Sequence, residues 1–254
     1  MSETFEIARK NMVVNQLRPN KINEENILQI FENTPKENYL DVSLGKNCYL
    51  DNNLDITDKR GYLKNLHLAQ IIKYSKILPN DKVLHIGGLT GYFSALISSL
   101  CKELHVVEEN RELFKLLEHN ISNTDTSNIS LFNHNLLDGL VDKAPFNLII
   151  IDGPIFKITD NLKKQLATSG GRLIYIKKIY DNLGTIKQFF PLSKPFDTEL
   201  HGTDGFKEAR ETVTRILSYV NNTLKPVSKY DSFDDINHDL FLCRGDHFRV
   251  ALEG

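Results

Sequence analysis

A doubly wound, mostly parallel α/β sheet preceded by an N-terminal helical arm is the fold the sequence predicts, and three observations predict it. From residue 80 onward, short near-continuous runs of Val, Ile and Leu recur, as strands buried on both faces require. The segments between them carry apolar residues at helical spacing, the pattern of crossovers in a parallel sheet. The first run is followed by Gly87-Gly88-Leu89-Thr90-Gly91, a glycine-rich turn that enters a helix. With right-handed crossovers these elements build a Rossmann-like sheet.

The arm comes first. Phe5, Ala8, Met12, Val13 and Leu17 fall near helical spacing over residues 5–17, and Arg18-Pro19-Asn20 stops that helix, because proline lacks an amide donor and restricts its predecessor. Asn23 is the expected N-cap of a second helix, with Glu24 and Glu25 in the first turn and Ile27, Leu28, Ile30 and Phe31 as its apolar face. Thr34-Pro35 ends it, and residues 41–62 read as a polar, turn-rich connection. A third helix is expected over 64–77, from Leu66, Ala69, Ile72 and Ile77.

In the core, Lys82-Val83-Leu84-His85-Ile86 is the first strand, followed by a helix from Tyr92 to Leu100. Leu104-His105-Val106-Val107 is the second strand and residues 111–120 the second helix. Strands are expected at 129–132, 146–151 and 171–176, with a helix over 161–167 before the last. Beyond residue 205 the sequence reads as an extension: one amphipathic helix over 205–222, a polar acid-rich stretch to 246 and a short strand over 247–252. The expected organisation is therefore arm and connection (1–78), core (79–205) and extension (206–254).

Composition narrows the function class. The chain has 254 residues, 41% hydrophobic and 25% charged, an ordinary globular mix long enough to bury a core without disulfides. Lys and Arg total 31 against 33 Asp and Glu, a net charge of -2, so neither a nucleic-acid nor a membrane partner is expected. No apolar run approaches the length of a membrane span. The three cysteines, Cys48, Cys101 and Cys243, are scattered and odd in number, which fits a reducing, cytoplasmic location. His238, Cys243 and His247 do not match a closed zinc site, and no metal is expected.

Ligands of open parallel sheets bind beyond the carboxyl ends of the strands. Gly87, Gly88 and Gly91 lie at the first such end, where the helix that follows directs amide donors at a bound anion. Glu108 ends the second strand, about 17 residues after Gly91, where an acid accepts both hydroxyls of a ribose. Asp152 ends the fourth strand over the same crevice, although Asp152-Gly153-Pro154 is equally a good turn. This set suits either a dinucleotide or S-adenosylmethionine. The full Gly-x-Gly-x-x-Gly and hydride-site residue of an oxidoreductase are not found.

Further motifs make the resemblance specific. Met12-Val13, Gln16-Leu17-Arg18-Pro19 and Ile22 form a leader with Thr34-Pro35-Lys36-Glu37-Asn38-Tyr39. Val83 to Tyr92, Ile149-Ile150-Ile151-Asp152-Gly153 and Ser169-Gly170-Gly171-Arg172-Leu173 follow. Over residues 8–178 the chain resembles the protein-L-isoaspartate (D-aspartate) O-methyltransferase family, a class I S-adenosylmethionine-dependent methyltransferase group. The resemblance implies S-adenosylmethionine as cofactor, held by His85, Gly87, Gly88, Gly91, Tyr92, Glu108, Asn135 and Asp152. It implies a protein or peptide carboxylate as acceptor, with Tyr62, Lys64 and His67 on the acceptor side, and a role in protein repair. Lys64 or Arg60 would pair with the acceptor carboxylate; the alternative for each residue is a solvated position at a helix start.

The chain departs from the family at identifiable positions. His85 stands where the family usually has an acid, and Leu89, where it has glycine, adds bulk beside the expected path of the cofactor's methionine end. Asn133-His134-Asn135 replaces a Gly-Asp-Gly, and Leu63 falls in the place of the serine of a Gly-Gln-Thr-Ile-Ser motif. Isoaspartyl activity is therefore expected to be low. These departures also define the alternative, a non-catalytic member that keeps the fold as a binding or scaffolding module.

Overall fold

The computed structural model describes residues 2–58, 60–180, 183–189 and 239–240. The helix expected over 205–222, the strand over 247–252 and the residues His238, Cys243 and His247 lie outside them.

Helix α1 (Ser2–Met12) continues through a π-turn (Val13–Leu17) into a 3-10 turn (Arg18–Asn20) that holds Pro19. The chain then turns on Lys21, at φ 65°. Helix α2 (Glu25–Asn33) buries Ile27, Leu28 and Phe31 as expected. Its cap is Glu24 and not Asn23: no side chain caps the helix, and the Glu24 carboxylate instead accepts the Asn23 backbone N–H at 3.0 Å. A 3-10 turn (Lys36–Tyr39) and the single-turn helix α3 (Val42–Gly45) follow.

The connection over 41–62 holds more order than its polar sequence indicates. Strands β1 (Leu54–Asp55) and β2 (Gly61–Tyr62) pair antiparallel as a small hairpin. A side chain at Gly61 would put its Cβ 2.3 Å from the Leu54 carbonyl oxygen, so only glycine permits this pairing. Helix α4 (Asn65–Ser75) leads into the sheet.

The core then alternates as expected: β3 (Lys82–Ile86), α5 (Tyr92–Ser98), β4 (Glu103–Val107), α6 (Arg111–Ser122), β5 (Ile129–Phe132), β6 (Leu148–Ile155), α7 (Asp160–Lys164) and β7 (Arg172–Tyr180). Strands β3 to β7 are parallel, in the order β5-β4-β3-β6-β7. Strand β8 (Leu183–Phe189) adds antiparallel to β7, and β9 (Asp239–Leu240) to β8. The sequence reading did not contain β8, whose Gly184, Lys187 and Gln188 interrupt its apolar pattern. Phe146, expected to start the fourth strand, makes only an isolated bridge to Leu166. Strand β6 instead runs on to Ile155, with a register shift between Ile151 and Pro154, where proline cannot donate to the ladder.

Alternation along the strands divides the core. Val83, Leu104, Val106, Leu148, Ile150 and Ile174 face one cluster, which also takes in Met12, Leu17, Phe31 and Leu68 of the arm and α4. Leu84, Ile86, Val107, Ile149, Ile151 and Leu173 face the other, under Leu162 and Leu166. The arm and the sheet thus share one core. Among the described residues, no helix is long and apolar enough to cross a membrane.

Candidate active site

The strand order reverses at β3, which has β4 on one side and β6 on the other. The crevice beyond the carboxyl ends of these strands is where ligands of such sheets bind. Gly87, directly after β3, has φ +95°, and a Cβ there would lie 3.4 Å from Arg60 Nη2 and 3.8 Å from Asp152 Oδ1. The loop is therefore open to close approach from above, and Arg60 makes that approach.

Glu108 follows β4 and is fully buried. Its Oε1 accepts from Arg60 Nη1 at 2.5 Å and from the Asn110 N–H at 3.0 Å; its Oε2 accepts from Arg60 Nη2 at 2.8 Å and from the Leu89 N–H at 2.9 Å. An ionised carboxylate has about four acceptor sites, so both oxygens are saturated. Arg60 reaches in from the hairpin, its guanidinium forked on the carboxylate in the strong bidentate geometry. Its backbone is fixed by a turn in which the Arg60 carbonyl accepts from the Ile56 and Thr57 N–H groups and the Arg60 N–H donates to Thr57 Oγ1.

Asp152 sits at the crevice within β6, 3.4 Å through Oδ1 from His85 Nε2. His85 is fully buried; its Nδ1 lies 2.8 Å from Ser94 Oγ, and its Nε2 makes no hydrogen bond. Of the residues expected at the cofactor, the fold brings His85, Gly87, Glu108 and Asp152 together around this loop. Gly88 and Gly91 belong to the same turn, packed against Leu117 of α6. Asn135 lies on the surface beyond β5, its Oδ1 accepting from the Leu137 N–H. The Tyr92 side chain points the other way, into an aromatic group with Phe31, Tyr39 and Tyr62.

Leu89 departs from expectation. Its side chain is buried in the cluster shared with the arm. Its backbone takes φ 49°, unusual for a residue with a Cβ, and this conformation accompanies the N–H donated to Glu108.

The acceptor-side expectations divide. Tyr62 is 1% exposed, and its hydroxyl accepts from the Thr90 and Tyr92 N–H groups at 3.2 and 3.0 Å. The first amide donor of α5 is therefore satisfied from within the chain. His67 is also buried, and burial lowers its pKa to about 3, with the Lys64 charge acting in the same direction. Lys64 is half-buried and paired with the exposed Asp51.

Behind the hairpin, Lys36 is buried with its ammonium 3.0 Å from Asn65 Oδ1 and 5.4 and 5.1 Å from the Tyr62 and Tyr92 ring centroids. Burial pulls its pKa down to about 8, while the ring faces favour the cation. Burial raises the nearby Cys48 thiol to about 12, so it is not a nucleophile at neutral pH.

The donor set fits a nucleoside cofactor in kind. A buried carboxylate with two inward oxygens ends β4, a glycine loop with room for a close ligand follows β3, and an orphaned imidazole nitrogen faces Asp152. Arg60, expected as a partner of the acceptor carboxylate, is instead forked on Glu108, a pairing the sequence does not reveal. It precedes Glu108 by 48 positions on a segment that reads as a loop, and no local pattern links the two.

The family model for Protein-L-isoaspartate(D-aspartate) O-methyltransferase matches residues 8–189. A protein-L-isoaspartate O-methyltransferase of Koribacter versatilis is 29% identical over 170 residues, 67% of this chain and 76% of that one. One from Geobacter metallireducens is 26% identical over 170 residues, 67% of this chain and 78% of that one. Among solved structures, a protein-L-isoaspartate O-methyltransferase superposes with TM-score 0.61 at 20% identity, over 72% of this chain; the match spans only 60% of that protein's length. A beta-aspartate methyltransferase structure from Plasmodium falciparum, in complex with S-adenosyl-L-homocysteine, gives TM-score 0.61 at 15% identity, over 72% of this chain and 90% of that one.

Proposed function

The chain belongs to the protein-L-isoaspartate (D-aspartate) O-methyltransferase family, and from that premise we propose that it is an S-adenosylmethionine-dependent O-methyltransferase acting on a carboxylate of a protein or peptide. The observation that carries this reading is the convergence of Glu108, Asp152 and the Gly87 loop at the sheet's switch point. Glu108 is the group to hold the ribose hydroxyls, the Gly87 turn gives a ligand access to the backbone, and Asp152 places a second carboxylate beside it. Bound S-adenosylmethionine supplies a methyl carbon on a positively charged sulfur, and its transfer to a carboxylate oxygen leaves a neutral thioether, with no proton changing hands.

The task of the protein's own residues is therefore alignment and charge placement, and no general base is needed. This agrees with the crevice. His85 is enclosed between Ser94 and Asp152, and Lys36 and Cys48 are walled off from it behind Tyr62 and Tyr92. Lys64, which follows the hairpin and pairs with Asp51, is the candidate to pair with the acceptor. Incubating the pure chain with tritiated S-adenosylmethionine and a panel of peptides tests the reading, with base-labile label on a carboxylate-bearing peptide as the expected result. No transfer to any carboxylate, in a protein that binds the cofactor, would reject the acceptor class.

A further inference from the structure

We propose that the β1–β2 hairpin is an intramolecular latch on the cofactor site: Arg60 occupies the acceptor positions of Glu108, and cofactor binds only as the guanidinium withdraws. The inference rests on the cofactor reading above and concerns how that same site is regulated.

Glu108 has no acceptor capacity to spare. Two Glu108 oxygens already accept from Arg60 Nη1, Arg60 Nη2 and the N–H groups of Leu89 and Asn110. The two amides belong to the loop and to the start of α6 and stay with the backbone. Only the two guanidinium bonds are held by a side chain able to leave, and a ribose with two hydroxyl donors needs two acceptor positions. The same guanidinium lies 3.4 Å from where a Gly87 Cβ would stand, within the space that the glycine opens. Arg60 and a ribose therefore exclude one another.

The element that carries Arg60 suits this role. The hairpin has only two register pairs, Leu54 with Tyr62 and Asp55 with Gly61. Arg60 is held by its turn with Ile56 and Thr57, and its side chain is 17% exposed, whereas Glu108 is fully buried. The guanidinium thus has a short path to water, and the carboxylate has none. Without a ligand the pair prevents an uncompensated buried charge. With a ligand, hydroxyl donors take over that task. Apparent affinity is then the intrinsic affinity reduced by the fraction of molecules in which the latch is open.

The test compares the full-length wild type with Arg60→Gln and Arg60→Lys, measuring S-adenosylhomocysteine binding by calorimetry and ligand-free melting temperature. The expected result is at least tenfold tighter binding by Arg60→Gln together with a lower ligand-free melting temperature, and Arg60→Lys between the two. Equal or weaker binding by Arg60→Gln would overturn the latch while leaving the cofactor reading intact. No binding by any folded variant would overturn both. Hydrogen exchange on the wild type keeps the proposal testable if the variants do not fold. Saturating S-adenosylhomocysteine is expected to speed exchange of the Ile56 and Thr57 amides, and slower exchange there would contradict the latch.

Discussion

Glu108 is the anchor expected for a ribose and is fully buried, so its removal acts directly on ligand affinity. Glu108→Ala is expected to weaken S-adenosylhomocysteine binding by about 1.5–3 kcal/mol, the range for hydrogen bonds to a charged group. Glu109→Ala is the control, because Glu109 is exposed and its carboxylate accepts from the Leu136 N–H at 3.3 Å, away from the Gly87 loop. Equal losses in the two variants would place the anchor elsewhere. His67 gives a second residue-scale test. Its folded pKa is lowered to about 3 by burial, against 6.5 for the free side chain. Between those values the unfolded chain holds a proton that the folded chain does not, so stability falls as pH drops from about 6.5 toward 3. The slope is at most about 1.4 kcal/mol per pH unit. Denaturation curves of His67→Gln are expected to lack that component, and identical pH slopes for the two proteins would contradict it. Glu108 was legible in the sequence because strand ends and glycine turns are local signals. Its partner was not, because an ion pair across 48 positions leaves no periodic trace.

The glycine loop shows how an element absorbs an unusual residue. Leu89 takes φ 49° while its side chain packs into the core shared with the arm. Leu89→Ala is expected to cost about 2–5 kcal/mol from lost burial. Leu89→Gly removes one further carbon but relieves left-handed strain of about 1–2 kcal/mol. The glycine variant is therefore expected to melt no lower than the alanine variant, and a glycine variant clearly less stable than alanine would show that the loop carries no strain. Strands β3 and β6 were readable because buried parallel strands leave near-continuous apolar runs. The β1–β2 hairpin and β8 were not, since two-residue strands and a strand with Gly184 and Lys187 lack that signature. The expected cap at Asn23 failed because the neighbouring Glu24 carboxylate bonds the Asn23 amide and fixes a different entry to the helix.

At the scale of the whole molecule, the sheet order places one crevice at the β3 switch point, and the arm closes the core behind it through Phe31, Lys36 and Tyr39. The position that the family resemblance assigns to a serine is Leu63, which is 5% exposed and has no hydroxyl to orient an acceptor. Misplacement near 1 Å costs about a hundredfold in rate. Transfer to an isoaspartyl peptide is accordingly expected about a hundredfold below that of a relative carrying the serine, assayed side by side; equal rates would show that other groups align the carboxylate. Binding of the cofactor at Glu108 underlies every role assigned to the crevice, and calorimetric titration of the full-length chain with S-adenosylhomocysteine measures it. Saturable one-to-one heat is expected, shrinking in Glu108→Ala and persisting in Glu109→Ala. A folded wild-type chain that gives no heat at millimolar ligand would contradict it.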